Sequence, residues 1–375
     1  MWDIIVEGDQ SYVAQGFVNH NTRDPNLQST PNKGASVIKR MFVSRFGDDG
    51  CVVQFDYSQI ELRILAAVSG DPKMIAAYEN GEDLHTVAAC MIFSTTVEQH
   101  KALPKDEQKR RRTVAKRINF GIAYGIGAPG IQHSLQSDGV QVTVEEAKKF
   151  LDTFYSKFPR VGKWIEKIEA STEDDFFSRS LFGRRRRLEQ VRSFDKDTKS
   201  RAKRQAVNHV IQSTAADFTW TSLILMDQEI ALRSGRKPSM IMPTIEPRVF
   251  PVDKRWKDVS LVLQVHDSIL CDCPLAMAGE VVDMFYRTMP KVVDLAPLVW
   301  GPEISELLKP MRRVKPDVDG EVGTSWRDAY KVKTGADVPL AMHVARTKRA
   351  KLDADVTYKW GDDDDKAAVA SFKGA

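Results

Sequence analysis

The chain has 375 residues, 42% of them apolar and 28% charged, with a formal net charge of only +4. These totals suit a soluble globular protein of two or three domains. They exclude a membrane span, since no apolar run approaches ~20 residues, and a secretory leader, since the first residues are acidic and their apolar run is short. The four cysteines, Cys51, Cys90, Cys271 and Cys273, form no CxxC pair and sit mostly in apolar runs. They read as reduced thiols of a cytoplasmic protein. Positive charge is unevenly spread. Runs at 109–112 (KRRR), 184–187 (RRRR) and 199–204 (KSRAKR) bracket one central region. Single runs are usually solvated faces, but three together predict a phosphate-binding surface.

Residues 1–21 alternate like two short strands, Trp2 to Val6 and Tyr12 to Ala14, with a turn at Gly8-Asp9. The segment closes on Gly-Phe-Val-Asn-His-Asn, followed by Thr22. The amide of Asn21 can attack its own carbonyl and cut the bond to Thr22. His20 can polarise that carbonyl or protonate the leaving amine. The Thr22 hydroxyl can accept an acyl group. The segment resembles the C-terminal end of an intein. Gln10 stands where many inteins have a histidine, which implies slower cyclisation. The resemblance implies a short all-β fragment that a partner polypeptide completes in trans.

Residues 51–63, CVVQFDYSQIELR, organise the rest of the chain. Cys51, Val52, Val53 and Phe55 predict a buried strand, and Ile60, Leu62, Ile64, Leu65 and Val68 an apolar-striped helix. Asp56 lies between them. A lone Asp there is usually a helix cap; at a strand end facing a cleft it can hold a divalent metal on rigid backbone. Downstream, 261–273 reads LVLQVHDSILCDC. Its two apolar runs flank His266-Asp267-Ser268, which predicts a β-hairpin with Asp267 at the tip. Two such carboxylates could share two Mg²⁺ ions ~3.5–4 Å apart for in-line phosphoryl transfer. Between these motifs, 112–125 reads RTVAKRINFGIAYG. Arg112, Lys116, Phe120 and Tyr124 recur every four residues, one stripe of a helix. Its cations suit a triphosphate.

DYSQIELR, RTVAKRINFGIAYG and QVHDS resemble motifs A, B and C of the family A, DNA polymerase I-like enzymes, in family order. TRDPNLQSTP at 22–31 resembles their GRLSSxxPNLQ segment entered midway, and SLFGRRRR at 180–187 their LFGRRR segment. The resemblance covers Thr22 to about Arg327. It implies an α+β right hand: an antiparallel palm sheet with helical fingers inserted, and the thumb absent. The division expected is an intein fragment at 1–21, palm at 22–83 with motif A, fingers at 84–214 with motif B, palm at 215–330 with motif C, and a charged tail at 331–375. WGDDDDK, at 360–366, also matches a protease tag sequence.

The implied activity is template-directed addition of dNTPs to a primer 3′-OH. Asp56 and Asp267 would be catalytic and hold two Mg²⁺ ions, with the Tyr57 carbonyl a further ligand. Gln59, Glu61, His85, Arg112, Lys116, Phe120 and Tyr124 would bind the nucleotide, Glu61 and Tyr124 walling off a ribose 2′-OH. Arg23, Asn26, Gln28, Arg204, Asn208, Gln212, Gln264 and His266 would touch primer-template DNA. His20, Asn21 and Thr22 would carry out splicing to an N-terminal polymerase half bearing the other intein piece; until joined to that half the chain is expected to be inactive or weak, and the source implied is a bacteriophage. Two departures stand out. Ser268 replaces the second acidic residue that most members carry after the catalytic Asp. Residues 234–260, with Pro238, Pro243, Pro247 and Pro251, read as an insertion. Phage-type single-subunit RNA polymerases share the palm, but their motif A carries a glycine soon after the Asp, so Ser58–Glu61 argue against that alternative. A non-catalytic nucleic-acid-binding fragment is disfavoured because Asp56, Lys116 and Asp267 are all present.

Overall fold

The structure is a computed structural model. It describes residues 39–237, 250–354 and 360–373, and the backbone alone of 11–14, 17–20 and 37–38. In chain order the elements that matter are β1 (Ser11–Ala14), β2 (Phe17–His20), β3 (Gly50–Tyr57), α1 (Ile60–Ser69), α2 (Leu84–Ile92), α3 (Lys105–Ala123), β4 (Phe177–Arg179), β5 (Arg185–Arg187), α4 (Lys196–Ser234), β6 (Ser260–Val265), β7 (Ser268–Pro274), α5 (Ala278–Thr288), β8 (Val318–Gly323), β9 (Ala329–Val332), α6 (Val338–Ala354) and α7 (Asp362–Lys373). They fall into two compact units. One takes in Met1–Ser58, Phe218–Pro302 and Asp317–Ala375; the other takes in Gln59–Asp217 and Glu303–Pro316. The units change over at Ser58/Gln59 and Asp217/Phe218, whereas the sequence reading divides palm from fingers at 83 and 214.

The first unit is built on a five-stranded antiparallel sheet in the order β6-β7-β3-β8-β9. Side chains along β3 alternate between its faces. Phe55 stacks on Phe285 at 4.6 Å and meets Tyr286 edge-on at 4.9 Å, so α5 covers that face. Opposite Phe55 stands Gly320, where an added Cβ would come within 2.6 Å of the ring. The glycine is there to admit the aromatic. Val52 on the other face clusters with Leu270 and Trp326. Gln54 and Asp56 continue that second face toward the strand end.

The predicted motif A strand and helix are both present, as is the motif C hairpin. Only His266 and Asp267 separate β6 from β7, and Val265 pairs with Ser268. A two-residue hairpin loop requires positive φ, and His266 supplies it at 56°. The four cysteines are free and buried. Cys51 and Cys273 face each other across β3 and β7 with sulfurs 3.7 Å apart.

The stretch expected as a charged tail is folded. Val338, Ala341, Met342, Val344 and Ala345 form the buried stripe of α6. These side chains are mostly small, so overall apolar content concealed a helical period. Asp362 to Asp365 occupy the first turn of α7, where four carboxylates suit the positive end of the helix dipole. Trp360 donates its indole N–H to Asp365 at 2.8 Å, and Lys351 pairs with Asp364 at 2.9 Å. The tag-like WGDDDDK is therefore a helix start in this fold. At the other end, β1 and β2 pair antiparallel, Ser11 opposite His20. The strand predicted at Tyr12 to Ala14 is thus present, but its partner is Phe17–His20, which the sequence reading left unassigned. Trp2 to Val6 lie outside the described residues.

The second unit is helical apart from the β4–β5 hairpin. The amphipathic stretch at 142–171 forms two helices, Val144–Lys157 and Pro159–Asp175. Proline fixes φ and disfavours helix in the residue before it, so the chain breaks at Phe158.

Candidate active site

In the first unit, β3 carries Asp56 one residue before its end, and the β6–β7 turn carries Asp267. The Tyr57 amide donates to the Asp267 carbonyl at 3.3 Å, joining strand end to hairpin tip. The Tyr57 side chain points the other way, its hydroxyl 2.7 Å from that of Ser222 and 3.1 Å from the Met289 carbonyl. That anchor fixes the backbone on which Asp56 stands. Burial pushes the Asp56 carboxyl up to about 8, helped by repulsion from Asp267 and a hydrogen bond shared with it. Asp319 and Glu321 on β8 push in the same direction. Asp267 is also raised, chiefly by burial.

Two adjacent, partly desolvated carboxyls are hard oxygen donors whose repulsion a divalent cation would relieve, so the pair fits Mg²⁺. Among the described residues, no cluster of three or more His, Cys, Asp or Glu side chains is arranged to hold a metal. Mg²⁺ commonly takes only one or two carboxylates and completes its shell with water and phosphate oxygens. Asp56 pairs in register with Ser268 on one side and Asp319 on the other, placing all three on one sheet face. Ser268 is buried, and its hydroxyl has no hydrogen-bond partner among the described residues. Asp319 escaped the sequence reading because nothing in VDGEVG, with its two glycines, announces a strand. Gln264 donates to the His266 carbonyl at 3.1 Å, and His266 is exposed beside the tip.

In the second unit, α3 has the predicted period. Val114, Ala115, Ile118 and Ile122 bury one side. Arg112, Lys116 and Phe120 follow one another along the other, and Tyr124 caps the helix. The Lys116 ammonium lies 5.8 Å from the centre of the Phe120 ring, and the Phe120 and Tyr124 rings are 6.4 Å apart and nearly parallel. Lys116 is exposed and makes no ion pair among the described residues. Arg112 instead holds Asp83, Nε to Oδ2 at 2.8 Å and Nη2 to Oδ1 at 3.2 Å. The Asp83 carboxyl also accepts the Gln59 amide at 3.1 Å, and Tyr78 donates to Gln59 at 3.4 Å.

His85 is buried rather than presented to solvent. Burial brings it down to about 4, so it is neutral near pH 7. Its Nδ1 lies 3.0 Å from the Asn119 amide nitrogen, which can only donate. One oxygen of Glu61 accepts both the Tyr124 hydroxyl at 2.9 Å and the Gln212 amide at 2.5 Å. Gly125 has φ of 65°, and a Cβ there would meet Arg204 at 3.0 Å. The Tyr124–Gly125 turn thus runs close against α4. Arg204, Asn208 and Gln212 share a face of that helix at four-residue spacing, and the Asn208 oxygen is buried without a partner among the described residues. Arg23, Asn26, Gln28, Asn21 and Thr22 lie outside the described residues, as does the side chain of His20.

Comparison with known proteins decides the family. Residues 8–328 match the family described as DNA polymerase family A. The chain belongs to DNA polymerase family A. It is 33% identical over 333 residues to the DNA polymerase of Bacillus phage SP01, covering 85% of this chain and 32% of that protein. It is 33% identical over 290 residues to the thermostable DNA polymerase I of Thermus thermophilus, covering 77% of this chain and 30% of the relative. It thus spans about a third of the length of these curated relatives. Among solved structures, the polymerase domain of Pol1 from M. smegmatis, complexed with DNA primer-template and dNTP, matches with a TM-score of 0.63 at 26% identity, covering 85% of this chain and 47% of that one. The fold is the mixed helical and antiparallel-sheet fold of Pol I-type polymerase domains, and an RNA polymerase is not favoured. The family match begins at residue 8, inside the segment that resembles an intein end. No helix among the described residues is long and apolar enough to cross a membrane.

Proposed function

We propose that this chain is the palm-and-fingers part of a DNA-directed DNA polymerase, adding dNTPs to a primer 3′-OH on a template. The observation that carries the reading is the Asp56–Asp267 pair, two carboxyls held together on a strand end and a two-residue turn with Asp56 pushed up to about 8. Asp56, Asp267 and the Tyr57 carbonyl are the Mg²⁺ ligands in this reading. Bound cations there would lower the pKa of the 3′-OH and neutralise the leaving pyrophosphate. Arg112 and Lys116 bind the triphosphate, and neutral His85 packs beside Phe120 on the same side, ring centres 5.8 Å apart. Phe120 lies against the sugar, and Glu61, fixed by Tyr124 and Gln212, blocks a ribose 2′-OH. Arg204, Asn208, Gln264 and His266 contact DNA, together with Arg23, Asn26 and Gln28. The test is Mg²⁺-dependent primer extension with dNTPs and rNTPs by the chain joined to its N-terminal half. Salt-sensitive DNA binding without extension would favour a non-catalytic fragment.

We infer further that residues 1–21 are a C-terminal intein piece that joins the polymerase to an N-terminal half in trans. The support is the chemistry of His20, Asn21 and Thr22, of which the His20 backbone ends a paired strand. Mass spectrometry of a mixture with that half should show loss of residues 1–21 and ligation through Thr22. A fully active product that still begins at Met1 removes splicing from this reading.

A further inference from the structure

Asp83 is a hub. Its carboxylate caps α2 by accepting the Thr86 amide at 3.1 Å and the Thr86 hydroxyl at 2.7 Å. The same group accepts Gln59 from the start of α1 and Arg112 from α3. Burial works to raise its pKa, but the hydrogen bonds from Arg112 and Thr86 outweigh it and bring Asp83 down to about 2. It is therefore a carboxylate at any working pH. A helix cap alone needs one or two of these bonds. The others tie together Arg112 and Gln59, two side chains assigned to nucleotide binding.

Arg112 uses only one edge on Asp83. Nε and Nη2 face the carboxylate, while Nη1 has no partner among the described residues. The side chain is 46% exposed, so an anion can reach that free edge. A long arginine otherwise samples many rotamers, and fixing it on binding costs affinity. Lys116, one turn further along α3, has no such tether, so the two cations differ in how far they are pre-set.

We propose that Asp83 is a positioning residue for nucleotide binding: it pre-sets Arg112 and Gln59 so that the free guanidinium edge meets the triphosphate without further ordering. This rests on the reading of Arg112 as a triphosphate ligand. The opposite role, in which Asp83 occupies Arg112 and must be displaced, does not fit this geometry. Displacement would be needed only if the anion required the edge that Asp83 holds.

Asp83→Asn separates the roles, because asparagine caps a helix as well as aspartate does but cannot pair with a guanidinium as an anion. Affinity of the full chain for a dNTP with Mg²⁺ is measured by calorimetry, and KM and kcat by primer extension. Asp83→Asn should weaken nucleotide affinity about tenfold, the scale of one charge-assisted bond, with kcat little changed. Asp83→Glu should restore part of the loss. Arg112→Ala should weaken affinity by itself, and the double variant should lose less than the sum of the two single losses. Wild-type affinity in Asp83→Asn beside a weakened Arg112→Ala would leave Asp83 only a cap and overturn the inference. So would tighter binding in Asp83→Asn, the mark of a competitor, or full additivity in the double variant. Unchanged affinity in Arg112→Ala would instead remove the reading of the basic helix face, and the inference with it.

Discussion

At the end of β3, Asp56 faces another carboxyl and is pushed up to about 8, while on α3 Arg112 faces the carboxylate of Asp83 and brings it down to about 2. The carboxylate site concentrates like charge on rigid strands, and the nearby Lys39 offsets only part of it, since Asp56 stays raised. The basic helix face neutralises one of its cations internally and leaves the other, Lys116, exposed. A dication entering the first relieves a strain that the fold already carries. A triphosphate meeting the second finds one cation in place and one that it must order. The first should thus control whether chemistry occurs, and the second how tightly and which nucleotide binds.

The largest expected effect comes from the carboxylate site. Asp56→Ala or Asp267→Ala, made in the joined enzyme, should lower primer extension by about three orders of magnitude or more, since on the proposed reading each removes a metal ligand that acts on the reacting charges. DNA binding, measured by fluorescence anisotropy, should survive. Near-normal extension in either variant would erase the distinction between the two regions.

A smaller effect is expected from Lys116→Ala: KM for dNTPs should rise roughly ten- to a hundredfold, the range of a lost charge-assisted contact. The loss should be in KM more than kcat if α3 governs binding. An equal fall in kcat and kcat/KM would place Lys116 with the transition state and blur the contrast.

These two regions were unequally legible in the sequence. The β3–α1 join could be read because apolar spacing switches from strand to helix on either side of Asp56, and the β6–β7 hairpin because apolar runs flank its tip. The stripe on α3 was legible because four side chains kept one spacing. Pairings across long separations were not. Asp319 comes beside Asp56 only when β8 docks on β3, 263 residues along the chain. Nothing local to Asp83 points to Arg112, 29 residues away, because its own neighbourhood reads as a helix start. Helix α6 was missed because its stripe is mostly alanine and valine, whose small side chains leave a charged segment looking solvated. His85 was placed on the nucleotide side by resemblance, yet its ring is buried against Asn119, a contact that no sequence period reports.

Sugar selection should respond more modestly. Glu61→Ala removes the acceptor shared by Tyr124 and Gln212, opening space and freeing both side chains. Discrimination against rNTPs, as a ratio of kcat/KM values, should fall about tenfold or more. Phe120→Tyr should improve use of nucleotides lacking a 3′-OH, because its hydroxyl can replace the missing one. If neither ratio moves, α3 does not line the sugar.

The smallest expected effect concerns stability, and it bears most directly on stored repulsion. Asp56 has a folded value of about 8 against about 3.9 in an unfolded chain. An acid whose pKa is raised on folding holds its proton more tightly when folded. The metal-free fold therefore suffers no penalty from Asp56 below about pH 4, and loses stability as pH rises from there through about 8. In EDTA at pH 8, Asp56→Asn should melt a few degrees above the wild type, because the amide carries no charge, and the gap should narrow at pH 5. Mg²⁺ should reverse the order. On the proposed reading it binds the deprotonated pair, so it should raise the wild-type Tm more at pH 8 than at pH 5, and leave Asp56→Asn nearly unmoved. Thermal melts at the two pH values, with and without Mg²⁺, separate these outcomes. An Asp56→Asn variant that melts below the wild type at pH 8 in EDTA would show that the two carboxyls are not in conflict. The carboxylate site would then be as internally balanced as the basic one.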